Sequence, residues 1–295
     1  MSAVRMSNEM PGLESFFHPV ALSDEVCDGA TYLTELLGQR WKLTRHRGVV
    51  HTVDDEAGGL VERHGLVWLA PEPPLADVID FPEWDDSCFD AWYLQCRRTP
   101  VSAALLIDNF VDAGHFPFLH RATFGAEDPG TPDLETHRDG WHLQVVNRGQ
   151  PNSGPNYGTL EALQVYELQF PFSLRIVVTL AGGQRNCFLF FLQPESDTST
   201  RLYLGLAYDD THGDPALLAE VSAFNNRVYD EDFALLATYE DPRIPLDVRA
   251  EVHTKADLGT LEFRRMLIER CFPTELGAVA GRAGSPRSTA AYPAA

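Results

Sequence analysis

Asn109, Asp112, His115 and His120 fall within a single short stretch, Asn109-Phe-Val-Asp-Ala-Gly-His-Phe-Pro-Phe-Leu-His120. Two neutral imidazoles and one carboxylate, with coordination positions left open, form the donor set of mononuclear non-haem Fe(II) oxygenation chemistry. On a helix of 3.6 residues per turn, Asn109, Asp112 and His115 are each three apart and share one face. Their neighbours Leu105, Leu106, Ile107, Phe110, Val111, Phe116, Phe118 and Leu119 are apolar. The polar stripe is therefore expected to point inward, where Asn, Asp and His side chains need partners. His120 would sit about 140° from His115 on an unbroken helix. Pro117 is expected to end or bend the helix between them and let His120 turn back.

The third ligand has to come from elsewhere in the chain. Asp232, within Tyr229-Asp-Glu-Asp-Phe-Ala-Leu-Leu236, is the leading candidate. It shares a helical side with Asn225, Val228 and Leu236. Glu231 and Asp230 remain alternatives, because three acids stand in a row.

These residues need a scaffold, and the pattern is α+β. Short strands are expected at Arg40–Arg45, Val49–Val53 and Gly65–Ala70, with a turn at Asp54–Gly59. Residues 1–17 read as a flexible leader and Pro71–Pro82 as a connector. A helix is expected over Val101–His115, begun after Pro100. Gly125–Gly158 reads as mostly loop around one short strand, Trp141–Val146. Strands then follow at Leu160–Phe170, Ser173–Leu180, Asn186–Gln193 and Arg201–Tyr208, with short connections that imply an antiparallel sheet. Asp214 caps and Pro215 opens a helix running to about Tyr239, and a last helix covers Ala256–Arg270. The tail from 275 to 295 reads as disordered. Phe170, Phe172, Phe188, Phe190 and Leu192 belong to the core or to a cavity.

Composition narrows the partners. The net charge of −20 would repel a phosphate backbone or an anionic leaflet, so neither nucleic acid nor membrane is an expected partner. Five cysteines, with no C-x-x-C pair, suit a reduced cytoplasmic protein. The N-terminus shows no apolar signal core, and no run reaches transmembrane length.

With those residues in view, the sequence resembles the Rieske non-haem iron oxygenases, specifically their catalytic subunit in the demethylase and monooxygenase branch. The family signature Asn-x-x-Asp-x-x-His-x-x-x-x-His is matched by Asn109, Asp112, His115 and His120, and Asp232 falls in the Glu-Asp pair where the family places its third ligand. The resemblance covers roughly residues 18–272. It implies that His115, His120 and Asp232 bind Fe(II). It makes Asp112 the carboxylate that bridges a Rieske histidine of a neighbouring subunit to His115, with Asn109 beside the iron. It also implies a helix-grip catalytic domain over 91–274 and trimer-based assembly.

One departure stands out. A Rieske centre takes two Cys and two His, normally as C-x-H and C-x-x-H, and this sequence has neither motif. The flanks are nevertheless similar: His18-Pro-Val20, Leu36–Leu43 and Val61–Trp68 resemble the opening and closing strands of a Rieske domain. The Asp54–Gly59 turn stands where the cluster-bearing hairpins would be, and His46-Arg47-Gly48 reads as an ordinary strand turn. Residues 18–90 are thus expected to form a Rieske-like β domain without [2Fe-2S] ligands. The expected system is split, with the cluster on a partner, either an oxygenase subunit or a reductase. Its reaction would be O2-dependent hydroxylation or demethylation of a small aromatic or heterocyclic molecule. The competing expectation is a non-catalytic paralogue that scaffolds a true oxygenase in a hetero-oligomer.

Overall fold

The computed structural model describes residues 4–54, 56–125, 132–154 and 158–272. In chain order it begins with β1 (Arg5–Met6), β2 (His18–Leu22), β3 (Thr31–Leu36), β4 (Gln39–His46), β5 (Val49–Thr52), β6 (Gly59–Arg63) and β7 (Leu66–Ala70). Strands β2, β7 and β6 form one three-stranded sheet, and β3, β4 and β5 a second. Three of the hairpins turn on two-residue loops, Leu37-Gly38, Arg47-Gly48 and His64-Gly65, in which both residues have positive φ. That is the loop geometry whose twist matches paired antiparallel strands. Between the two sheets lie Val20, Leu36, Trp41, Leu43, Val67 and Leu69, all buried.

The second half contains β8 (Asp90–Tyr93), β9 (Arg97–Thr99), α1 (Ala103–Val111), α2 (Phe116–Leu119), β10 (Asp133–Asp139), β11 (His142–Gly154), β12 (Gly158–Gln169), β13 (Ser173–Leu180), β14 (Arg185–Ser196), β15 (Ser199–Tyr208), α3 (Pro215–Leu236), β16 (Ile244–Pro245) and α4 (Leu258–Cys271). Strands β10 to β15 run in sequence order through one antiparallel sheet, and β8 and β9 both pair with β15. Side chains alternate across its two faces. On β14, Phe190 and Leu192 join the core beneath the helices, whereas Cys187, Leu189 and Phe191 join a second core with Leu66, Trp68 and Phe81. Burial of both faces explains why β14 and β15 read as near-continuous apolar runs.

Three sequence expectations need correction. Residues 4–17 are not a loose leader: β1 pairs with β16, and Met6 and Leu13 are fully buried. Asn8, also fully buried, donates to Ser196 O, Ser199 O and Thr200 Oγ1 and accepts from Ala103 N at the start of α1. Irregular spacing among polar residues hid these anchors. Within 125–158, β10 and β11 form a long hairpin rather than loop. β10 is the outermost strand of its sheet and alternates exposed with half-buried residues, so it lacks an apolar signature.

The third correction concerns α1. It starts with Ser102 as its cap, whose Oγ accepts from Leu105 N, and it stops at Val111 rather than running on to His115. The helix from Pro215 stops at Leu236, and the last helix matches expectation to within about a turn. The tail lies outside the described residues. Among the described residues, no helix is long and apolar enough to cross a membrane.

Candidate metal centre

The chain after α1 is shaped by its own side chains. Asp112 leaves the helical region (φ −73°, ψ 106°), and its Oδ1 accepts from Gly114 N at 2.7 Å. This local bond competes with another helical turn. His115 then stands immediately before α2, with Pro117 in the first turn of that helix, where its missing N–H costs nothing. Pro117 therefore opens a helix instead of breaking one. His120 follows α2, and its carbonyl accepts from Thr123 N and Gly125 N. A Cβ at Gly125 would lie 2.5 Å from Phe116 O, so only glycine lets the chain close this tightly over the histidine.

The result brings the two imidazoles together by a turn, a four-residue helix and a second turn, not by one helical face. His115 Nε2 and His120 Nε2 are 3.2 Å apart. Asp232 Oδ1, projecting from α3, lies 3.5 Å from the first and 3.3 Å from the second. Donors that share one ion at about 2.1 Å stand roughly 3.0–3.4 Å from one another, so the trio fits a single metal ion. Among the described residues it is the one group of three or more His, Cys, Asp or Glu side chains with donor atoms within 4.8 Å of each other.

Each member of the trio is held by a further polar group. His115 Nδ1 faces Asp112 Oδ2 at 3.3 Å, and His120 Nδ1 faces Glu231 Oε2 at 2.8 Å. A carboxylate that accepts from Nδ1–H holds the ring proton on that nitrogen and leaves Nε2 to bind metal. Thr123 Oγ1 donates to the same Glu231 oxygen, and Asn109 Nδ2 donates to Asp232 Oδ1 at 2.9 Å. Burial opposes a charge on His115, yet the hydrogen bonds its ring donates to the Asp112 and Asp232 carboxylates outweigh it and hold the ring pKa up to about 9. Burial likewise resists ionisation of Asp232, but the hydrogen bonds with His115 and His120 hold its carboxyl down to about 2. The site is therefore built around positive charge, which a divalent cation would supply.

The trio sits at one side of a partly enclosed cavity with mostly apolar walls, the setting typical of small-molecule sites. Phe110, Phe116, Phe124, Phe188, Phe190 and Phe224 line much of it. Phe124 also stacks on the His120 ring at 4.6 Å. Of the core or cavity candidates considered from sequence, Phe188 and Phe190 reach the cavity. Phe170, Phe172 and Leu192 belong to the core.

All five residues singled out from the sequence, Asn109, Asp112, His115, His120 and Asp232, thus converge. Of the two alternative acids, Asp230 points away to pair with Arg97, and Glu231 supports His120. The register explains the difference: Val221, Asn225, Val228, Asp232 and Leu236 form the buried side of α3. Sequence reasoning missed Thr123, Phe124 and Gln164. Gln164 carried a usable signal, because it alternates with Ala162, Tyr166 and Leu168 on the buried face of β12.

Comparison with known proteins agrees with this geometry. Residues 100–270 match the family described as the vanillate O-demethylase oxygenase C-terminal domain. The chain belongs to that family of Rieske-type oxygenases, and it is an oxygenase. It is 26% identical over 266 residues to a probable methylxanthine N7-demethylase, NdmC, of Pseudomonas sp. (strain TJI-51), covering 86% of this chain and 93% of that protein. It is 23% identical to the vanillate O-demethylase oxygenase subunit of Pseudomonas sp. (strain ATCC 19151), covering 74% and 75%. Among solved structures, NdmA of Pseudomonas putida CBB5 with caffeine superposes with a TM-score of 0.76 at 17% identity, covering 89% of this chain and 92% of that one. Dicamba monooxygenase bound to dicamba also gives 0.76, at 15% identity over 92% and 99%. At these identities the structures speak to the fold alone, a mixed fold with antiparallel sheets.

Proposed function

We propose that the chain is the iron-bearing oxygenase component of a split Rieske-type system, hydroxylating or demethylating a small organic molecule. The observation that carries this reading is the trio of His115, His120 and Asp232 opening on an aromatic-lined cavity, in a sequence with no C-x-H or C-x-x-H cluster motif. In this reading residues 18–90 are a Rieske-like β domain without cluster ligands, and residues 91–274 are a helix-grip catalytic domain. The [2Fe-2S] centre belongs to a partner, an oxygenase subunit or a reductase, within a cytoplasmic, trimer-based hetero-oligomer. The demethylase names of the relatives point to removal of a methyl group from nitrogen or oxygen as the reaction type.

Ferrous iron bound by the trio would supply O2 activation and the oxidising power for the substrate bond. The chain's own residues do the rest. Asp112 and Glu231 fix the ring tautomers of His115 and His120, and Asn109 fixes the rotamer of Asp232. The Asp112 side chain is 28% exposed while it touches His115. It therefore links the protein surface to the site, where a docked donor can pass electrons inward. The phenylalanine walls exclude water and position the substrate's reactive group toward the open side of the trio.

The test is reconstitution. Iron-loaded chain is mixed with substrate candidates, O2 and an electron source that either carries or lacks a Rieske cluster. Product and O2 uptake are expected only with the cluster-bearing donor. Equal turnover with a donor that lacks a Rieske cluster would rule out the split system.

A further inference from the structure

The polar part of the cavity wall is small and uncharged apart from the trio. Asn147 Nδ2 and the Tyr166 hydroxyl both donate to Gln164 Oε1, at 3.2 and 2.8 Å. That pair of bonds fixes the amide's orientation on a cavity-lining residue and leaves Gln164 Nε2 without a hydrogen-bond acceptor among the described residues. Asn225 Nδ2 is used by Val221 O and the Tyr208 hydroxyl. Its Oδ1 is left as an acceptor that nothing among the described residues fills. The hydroxyl of Tyr229, a third lining residue, is buried without a partner. Gln164, Asn225 and Tyr229 are each at least 97% buried. Unfilled polar groups at that depth call for a ligand that supplies the missing partners.

No lysine or arginine lines the cavity among the described residues. Residues 126–131 and 149–161 contain neither type in their sequence. The whole chain is strongly acidic as well, which lowers the local concentration of small anions. Outside the metal-binding trio, a substrate carboxylate entering this site would lose its hydration with no lysine or arginine among the described residues to replace it.

From these observations, and resting on the oxygenase reading above, we infer that the site takes an uncharged, flat heteroaromatic with a lactam-type edge, and that it rejects aromatic carboxylates. The aromatic walls hold the rings. Gln164 Nε2 donates to a ring carbonyl, Asn225 Oδ1 accepts from a ring N–H, and the Tyr229 hydroxyl can serve as donor or acceptor.

Three probes of similar shape separate the possibilities: isocarbostyril (a bicyclic lactam), naphthalene and naphthoate, measured by equilibrium dialysis. The lactam is expected to bind at least about tenfold tighter than the hydrocarbon, and naphthoate weaker than either. Gln164→Met and Asn225→Leu should each remove about tenfold of the lactam's affinity while leaving naphthalene within about twofold, a selectivity change that a merely loosened fold would not produce. The wild-type ranking stands without the variants if either fails to fold. Naphthoate binding as well as the lactam, or a lactam no tighter than naphthalene, overturns the inference. Dialysis with and without Fe(II) separates the two readings: a lactam preference in a chain that binds no iron sinks only the oxygenase mechanism, and iron binding without the preference sinks only the substrate class.

Discussion

Replacing Glu231 by alanine should weaken metal binding without touching any ligand. In the folded chain its Oε2 accepts hydrogen bonds from His120 Nδ1 at 2.8 Å and from the Thr123 hydroxyl at 2.8 Å. Loss of such a carboxylate behind a ligating imidazole typically lowers metal affinity about 10- to 100-fold, or about 1.4–2.7 kcal/mol. Since Glu231 is about a quarter exposed, solvent screening places the loss toward the lower end. Glu231→Gln keeps an acceptor but loses the charge, so its effect should be smaller. Thr123→Val removes one neutral hydrogen bond, costs about 1 kcal/mol, and should be less than additive with Glu231→Ala because both act on one carboxylate. The assay is anaerobic competition with a chromophoric chelator for Fe(II) or Co(II), with Asp230→Ala as control, since that acid pairs with Arg97 on the outer side of α3. Unchanged affinity in Glu231→Ala, together with a tenfold loss in Asp230→Ala, would refute this assignment of the acids along α3.

Other consequences follow from the same contacts. Burial lowers the pKa of His18 to about 4, the Leu13 carbonyl bond only partly opposing it. The unfolded chain binds this proton near pH 6.5 and the native chain does not. Stability is therefore intact above pH 6.5 and falls by about 3 kcal/mol toward pH 4, and His18→Gln should flatten urea midpoints measured across that window. Asn8→Ala removes the side-chain acceptor of Ala103 N and the donor to Ser196 O, Ser199 O and Thr200 Oγ1. A loss of about 2–4 kcal/mol is expected in the same unfolding assay, whereas a dispensable leader would lose nothing. Asp112→Asn should keep iron content near wild type but reduce turnover driven by a cluster-bearing donor far more than single-turnover chemistry with pre-reduced components. Equal loss in both would assign Asp112 a structural role instead.

How much of this was legible beforehand depended on the length scale of the signal. Strands β14 and β15 announced themselves because burial on both faces demands near-continuous apolar runs, and β12 and β13 through a period-two alternation of buried and less buried residues. The Asp214-Pro215 start of α3 was visible because cap chemistry is local. The metal trio was legible as residue types in an ordered spacing, but the route was misread. Helical periodicity suggested one face for Asn109, Asp112 and His115, while the Asp112 carboxylate bonding to Gly114 N ends the helix after Val111. The role of Glu231 depended on which side of α3 meets His120, a tertiary fact that three consecutive acids do not reveal. Asn8 and Leu13 were hidden for the same reason, since their partners lie far along the chain.

The most direct test of the central claim is metal and sulfide analysis of the purified chain, alongside His115→Ala and Asp232→Ala. About one iron per chain, no acid-labile sulfide, and loss of that iron in both variants are the expected results. About three irons with two labile sulfides, or iron retained when both side chains are removed, would contradict it.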